Sequence, residues 1–189
     1  MNYTHKGPHM TAIETTPTLT PGKWTIEPAH SEVAFSVRHL GLTKVNGRFN
    51  SFSGTVTIAD DLSAAAVEAT IDLSSVDTNN ANRDGHLQSG DFFNAETHPV
   101  MTFTSSSTTG DAMIGDLTIA GITKTVELDV EFHGVAVDGY DTIRAGFSAS
   151  GKINRSDFGI TFNAPLGLDG ALVSDAVKIN LEIQAVPVT

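Results

Sequence analysis

Five histidines beyond the N-terminal tail, His30, His39, His86, His98 and His133, and 22 carboxylates are the groups able to move a proton or hold a metal. No two of these histidines stand two to five residues apart, the spacing of a local metal site. The chain has no cysteine, which removes thiolate nucleophiles, thiolate metal ligands and disulfides together. Neither a phosphate-binding glycine loop nor a nucleophile elbow nor a His-Glu-x-x-His pair is present. Most carboxylates, such as Glu127, Asp129 and Glu131, fall on alternate positions of strand-like runs, where water solvates them. Two pairs differ. Arg83-Asp84 and Arg155-Ser156-Asp157 join opposite charges inside irregular stretches. They read either as pins that tie those stretches to the body by charge-assisted hydrogen bonds, or as cations that hold a ligand head group.

The aromatic residues pose the complementary question. Ten Phe stand against two Tyr and one Trp, a choice of rings without polar handles that suits a dry interior. Most occupy inward parities or the two irregular stretches, while Gly47, Gly54, Ala65, Ala69, Ala145, Ala149 and Gly151 share those parities. Large rings facing small residues around a barrel leave a tunnel; the ordinary alternative is a filled core.

The elements that must position these groups are strands. Val33, Phe35 and Val37 alternate with small or charged residues, as do Ala65 to Leu73, Val126 to Phe132, Ile143 to Gly151 and Val177 to Ala185. Each predicts a strand with one buried and one wet face. Turn signals separate them at residues 59–61, at 119–123 and at Asp138-Gly139. Val45, Gly47 and Phe49 are odd but Phe52, Gly54, Val56 and Ile58 are even, which predicts a bulge or bend near Asn50 or Ser51. Residues 76–94 supply the helix candidate, about three turns ending near Gly90, with Arg83, His86, Leu87 and Gly90 on one face. Residues 154–173 carry too much Gly, Pro and Asn for regular structure. The expected architecture is all-β: a barrel of long antiparallel strands, one short helix and a long irregular loop.

Length and charge bound the rest. The 189 residues suit one domain, expected over 22–189, after a flexible lead-in at 1–21 in which GPHM resembles a cloning scar. A net charge of −11 with dispersed cations excludes nucleic acid and opposes permanent docking on an anionic membrane. With no leader or long apolar run, the chain reads as cytoplasmic, or as periplasmic or secreted if a leader was removed before cloning.

The segments HSEVAFSVRHLGLTKVNGRF, NRDGHLQSGDFFNAETHPVMTF, GDLTIAGITKTVELDVEF and NRSDFG, in this order, resemble the YceI-like family over about residues 22 to 186. The resemblance implies an extended, lipocalin-like, eight-stranded antiparallel β-barrel that binds long isoprenoid chains, either isoprenoid quinones or polyprenyl phosphates. It also implies a homodimer, since dimers are common in the family. The matched motif residues are His30, Ser31, Arg38 and His39; Arg83, His86, Leu87, Asp91, Phe92 and Phe93; and Arg155, Asp157, Phe158 and Gly159. Resemblance and parity together give the candidate ligand-binding residues Val33, Phe35, Val37, His39, Phe49, Phe52, Arg83, His86, Phe92, Phe93, Phe103, Phe147, Arg155 and Phe158. Arg38 points away from them if its strand is regular. The expected activity is non-catalytic binding and carriage of a long-chain isoprenoid lipid, with no cofactor and no metal. Dispersed cations favour a quinone-like head over a pyrophosphate. The alternative is an enzyme acting on a lipid or small apolar substrate within the barrel, resting on His39, His86 and Asp91 as proton carriers. A third reading is an interaction protein with a full barrel.

Overall fold

The structure is a computed structural model that describes residues 18–61, 63–109, 111–166 and 170–188. Of the expected lead-in, residues 1–17 lie outside the described residues. Leu19 already packs on the core, and the Thr20 carbonyl accepts a 3.1 Å hydrogen bond from the Trp24 indole.

Alternating apolar residues produce a strand at each of the expected runs, and further strands form between them. In chain order these are β1 (Gly22–Ile26), β2 (Glu32–His39), β3 (Thr43–Phe49), β4 (Phe52–Ile58), β5 (Ala65–Asp72), β6 (Val76–Asp77), β7 (Val100–Thr109), β8 (Ala112–Ile119), β9 (Ile122–Val137), β10 (Ile143–Asn154), β11 (Pro165–Leu166), β12 (Gly170–Ala171) and β13 (Val173–Pro187). β1 and β2 are two halves of one stave, interrupted by a 3-10 turn at Pro28–His30 where proline withholds a donor. β3 and β4 are likewise two halves of the next, since β3 pairs with β2 while β4 pairs with β1. The break at Asn50 and Ser51 switches the inward parity, as the odd-to-even pattern predicts. Eight antiparallel staves follow one another, and β13 closes the barrel on the first, opposite β1 at Trp24↔Pro187 and β2 at Leu181↔Val33. Closure joins the first and last staves, while residues 43–47 of β3 and 131–137 of β9 pair on one side only.

Turn chemistry sets the registers. Ala120 and Gly121, both at positive φ, make the two-residue turn between Ile119 and Ile122. Asp138 organises the next hairpin by accepting from the amides of Tyr140 and Thr142 at 2.8 and 3.0 Å and from the Arg144 guanidinium at 2.8 Å.

One strand departs from its pattern. Gly146 pairs with Gly134 but Phe147 pairs with Phe132, so His133 is an extra residue in β9. Phe132 keeps the parity of Val126, Leu128 and Val130, with its ring 5.2 Å from that of Phe147 opposite, yet it is 48% exposed, because it lies beyond Asp129, the last residue of β9 that pairs with β8.

The helix α1 (Ala81–Gln88) is shorter than the three turns expected. Asn80 caps it by accepting from the Arg83 amide at 3.0 Å. Ser89 ends it, with an extended backbone and a hydroxyl that donates to the His86 carbonyl at 2.7 Å. Leu87 packs over Phe49, Ile71, Leu73 and Val76. The irregular stretch expected at 154–173 contains a 3-10 turn at Arg155–Phe158 and the short β11–β12 hairpin. Among the described residues, no helix is long and apolar enough to cross a membrane.

Candidate functional site

Buried side chains gather at three places, one of them the Phe49, Ile71, Leu73 and Val76 group beneath Leu87. Trp24, Ile26, Val56, Ile58, Ala145 and Ala185 fill one end of the barrel. A third group around Phe103, Met113, Leu117, Leu128 and Phe158 packs along one wall. Between them the inward parities do not meet across the barrel, and a cavity of about 490 Å³ remains.

Each candidate from the sequence borders that cavity. β2 contributes Val33, Phe35, Val37 and His39, β3 and β4 contribute Phe49 and Phe52, and β7 and β10 contribute Phe103 and Phe147. Arg83 and His86 come from α1, Phe92 and Phe93 from the segment after it, and Arg155 and Phe158 from the 3-10 turn. Some of them are wall more than contact surface. Phe35, Phe49 and Phe93 form a chain of rings with centroids 5.7 and 5.9 Å apart, and Phe158 is only 2% exposed.

The reason expected for the tunnel needs correction. A Cβ at Gly47 would overlap the Phe35 ring, one at Gly54 would meet the Glu68 carbonyl and the Ile26 side chain, and one at Gly151 would strike Leu128. These glycines let rings and neighbouring strands approach; they do not open space. Gly115 does the same for Phe103. The room comes instead from Ala65, Ala69 and Ala149, which line the cavity directly.

The two arginines are engaged by the protein. Arg83 donates through Nε to the Thr78 hydroxyl and through Nη2 to the Thr78 carbonyl, both at 2.7 Å. Asp84 accepts from the Thr78 amide at 2.9 Å, so the Arg-Asp pair clamps the helix start onto the chain before it. Arg155, 8% exposed, donates to the carbonyls of Ile160 (3.0 Å), Phe162 (2.8 Å) and Ser174 (3.1 Å). Burial pushes its guanidinium below its ordinary pKa, with the nearby Asp175 charge opposing the shift. Arg83, Asp84 and Arg155 therefore act as pins for the irregular segments.

Arg83, His86 and Phe162 line the cavity and are exposed, which puts its mouth beside them. His86 Nε2 lies 2.9 Å from Asp91 Oδ2, and both side chains are about half exposed. The His86 ring stands edge-on to Phe92 and to Phe162, each at 5.0 Å. Phe162 also lines the cavity and is absent from the sequence candidates; its Gly- and Pro-rich surroundings carry no periodicity that would mark it. Arg38 is exposed and donates to the Leu42 carbonyl at 3.2 Å, outside the cavity as parity implies. His30 bonds Glu27 at 2.6 Å, far along the chain from this mouth, and the Ser31 hydroxyl donates to the Glu27 carbonyl at 2.8 Å.

A hydroxyl–imidazole contact occurs at Ser148 Oγ and His133 Nε2, 2.9 Å apart. Glu131 lies 3.9 Å from the other ring nitrogen, beyond hydrogen-bond reach, so no assembled nucleophile relay exists there. Among the described residues, no group of three or more His, Asp or Glu could hold a metal ion.

The comparisons with known proteins converge. A family model described as the YceI-like domain matches residues 24–185. A UPF0312 protein of Staphylococcus aureus is 40% identical over 157 residues, covering 82% of this chain and 92% of the relative. The crystal structure of a Campylobacter jejuni YceI protein matches with a TM-score of 0.68 at 36% identity, over 80% of this chain and 90% of that one. A polyisoprenoid-binding domain from Saccharophagus degradans shares the fold, with a TM-score of 0.63 at 17% identity, over 87% of this chain and 98% of that one.

Proposed function

From its membership of the YceI-like family, to which the chain belongs, we propose that this protein is a non-catalytic carrier of a long-chain isoprenoid lipid. The observation that carries the reading is the apolar cavity of about 490 Å³, walled by phenylalanines and aliphatic residues and open at the His86–Phe162 end. Burying roughly 500 Å² of apolar ligand surface contributes about 12 kcal/mol gross at ~25 cal/mol per Å². Lost ligand freedom offsets several kcal/mol of this and leaves useful affinity. Residues 22–189 act as one unit in this reading. The polyisoprenoid-binding domain of the same fold supports the choice of cargo class.

The head group is a quinone-like carbonyl ring in preference to a pyrophosphate. A pyrophosphate needs several convergent free cations, whereas Arg83 and Arg155 already donate to Thr78 and to backbone carbonyls. His39, His86 and Asn163 border the cavity and supply hydrogen-bonding groups.

Native mass spectrometry of the freshly purified protein, with solvent extraction of whatever is released, tests the reading. An isoprenoid of defined length is expected, in the preparation as isolated or after incubation with isoprenoid quinones and polyprenols. A bare chain that takes up neither overturns the carrier reading. A polyprenyl pyrophosphate that outcompetes the quinone of equal length overturns the head-group assignment alone.

A further inference from the structure

The tip of the β2–β3 hairpin is built from residues that a water-facing turn seldom selects. Leu40 has φ 55° and Gly41 has φ 70°, and the Leu42 amide donates to the His39 carbonyl at 2.9 Å. Left-handed backbone is easy for glycine and unfavourable for a branched side chain, so such turns ordinarily take Asn, Asp or Gly. Here both neighbours of the glycine are leucines, 41% exposed at Leu40 and 75% exposed at Leu42. The tip adjoins the cavity mouth. His39 precedes it and lines the cavity, and so does Leu172, whose carbonyl accepts from the Leu40 amide at 2.9 Å.

The charge around this tip is opposite to that of the molecule. In a chain of net charge −11, no Asp or Glu occurs between Glu32 and Asp60, a stretch that carries Arg38, Lys44 and Arg48. Arg48 is paired with Asp77 at 3.2 Å. Arg38 stands opposite Lys44 across β2 and β3. Lys178 is opposite Ser36 on one side and Lys152 on the other, which places both lysines on the outer parity that Arg38 and Lys44 share. All four cations are exposed. Asp175, the carboxylate at the start of β13, is occupied by the Ser156 amide and hydroxyl at 3.0 and 2.7 Å.

We propose that this tip and the basic wall beside it form a docking surface for an anionic phospholipid bilayer. Leu40 and Leu42 enter the boundary between head groups and acyl chains, while Arg38, Lys44, Lys152 and Lys178 meet the phosphates. Two leucines are a small apolar anchor, and the acidic remainder of the protein is repelled, so attachment is transient and weakened by salt. Docking in this orientation brings the cavity mouth to the lipid phase. The purpose assigned to it rests on the carrier reading; the surface itself does not.

Flotation of the full chain with phosphatidylcholine vesicles, with and without phosphatidylglycerol, tests the surface. Binding is expected to the anionic vesicles only. It should fall by at least about 10-fold in Leu40→Asn/Leu42→Asn and in Arg38→Glu/Lys44→Glu. Asparagine accepts positive φ, so the first variant keeps the turn. Both variants should load an isoprenoid quinone from detergent solution like the parent, yet extract it from anionic vesicles more slowly by the same factor. Variants that float like the parent, or a parent indifferent to phosphatidylglycerol, overturn the docking surface. A parent that floats with neither vesicle also overturns it and leaves the tip to a protein partner with an acidic face. Failure of the parent to load from detergent is instead a failure of the carrier reading, and flotation then decides the docking surface by itself.

Discussion

Filling the cavity by one ring should shorten the cargo by about one isoprene unit. Ala149 lines the cavity between Val130 and Leu181, its partners in register on β9 and β13. Ala149→Phe adds about six carbons there, close to the five of one isoprene unit. At ~0.8 kcal/mol per buried CH₂-sized group, excluding one unit costs about 4 kcal/mol gross. Roughly half of that returns because the displaced unit keeps its freedom. The net loss of about 2 kcal/mol corresponds to an affinity lower by about 30-fold for a chain that fills the parent cavity. Shorter chains should bind parent and variant alike. Competition within a series of isoprenoid quinones stepped by single units, read by native mass spectrometry, gives the length profile directly. A uniform loss at every length, or none, in a variant with parental unfolding behaviour would refute the assignment of Ala149 to the ligand surface.

Arg155→Met keeps the bulk of the side chain but leaves the carbonyls of Ile160, Phe162 and Ser174 without their donor. A destabilisation of about 3 kcal/mol is expected in urea unfolding, and a change within about 0.5 kcal/mol would contradict the pinning role. Asp138 is held at about 2, first by the Arg144 guanidinium and then by the amides of Tyr140 and Thr142. A carboxyl depressed in the folded state stabilises above its ordinary value of 3.8, and that contribution is lost as pH falls through about 2. The gap in melting temperature between the parent and Asp138→Asn should therefore be constant down to about pH 4 and close near pH 2. A gap that persists at the acid end would assign the loss to something other than this ionisation.

Much of the barrel was legible because a strand with one wet face writes its geometry into every second residue. The break at Asn50 appeared as a change of parity, and the Ala120-Gly121 and Asp138-Gly139 turns announced themselves by residue type. Phe132 keeps its expected parity but is exposed, because β8 stops pairing with β9 at Asp129 and nothing in the run from Val126 onward marks where a neighbouring strand ends. Gly47, Gly54 and Gly151 were misread for a different reason. A missing side chain on an inward position signals close approach, but sequence does not say whether a neighbour or a void makes use of it. The helix ended early at Ser89, where a local hydroxyl bond competes with the next helical turn. Phe162 lay in a segment held in place by Arg155 donating to backbone carbonyls, an arrangement with no sequence period at all.

The pairing of Trp24 with Pro187 joins residues about 160 positions apart. During synthesis the apolar inner face of seven staves must therefore wait, unsealed, for the last strand to leave the ribosome. Contacts of such long sequence separation make the search for the native state slow and prolong exposure to self-association. The first and last strands finish side by side, with the Val188 amide donating to the Lys23 carbonyl at 2.9 Å. A circular permutant that joins them and opens the turn between Ile119 and Ile122 would make the closing pair local, and it should complete its barrel sooner after release.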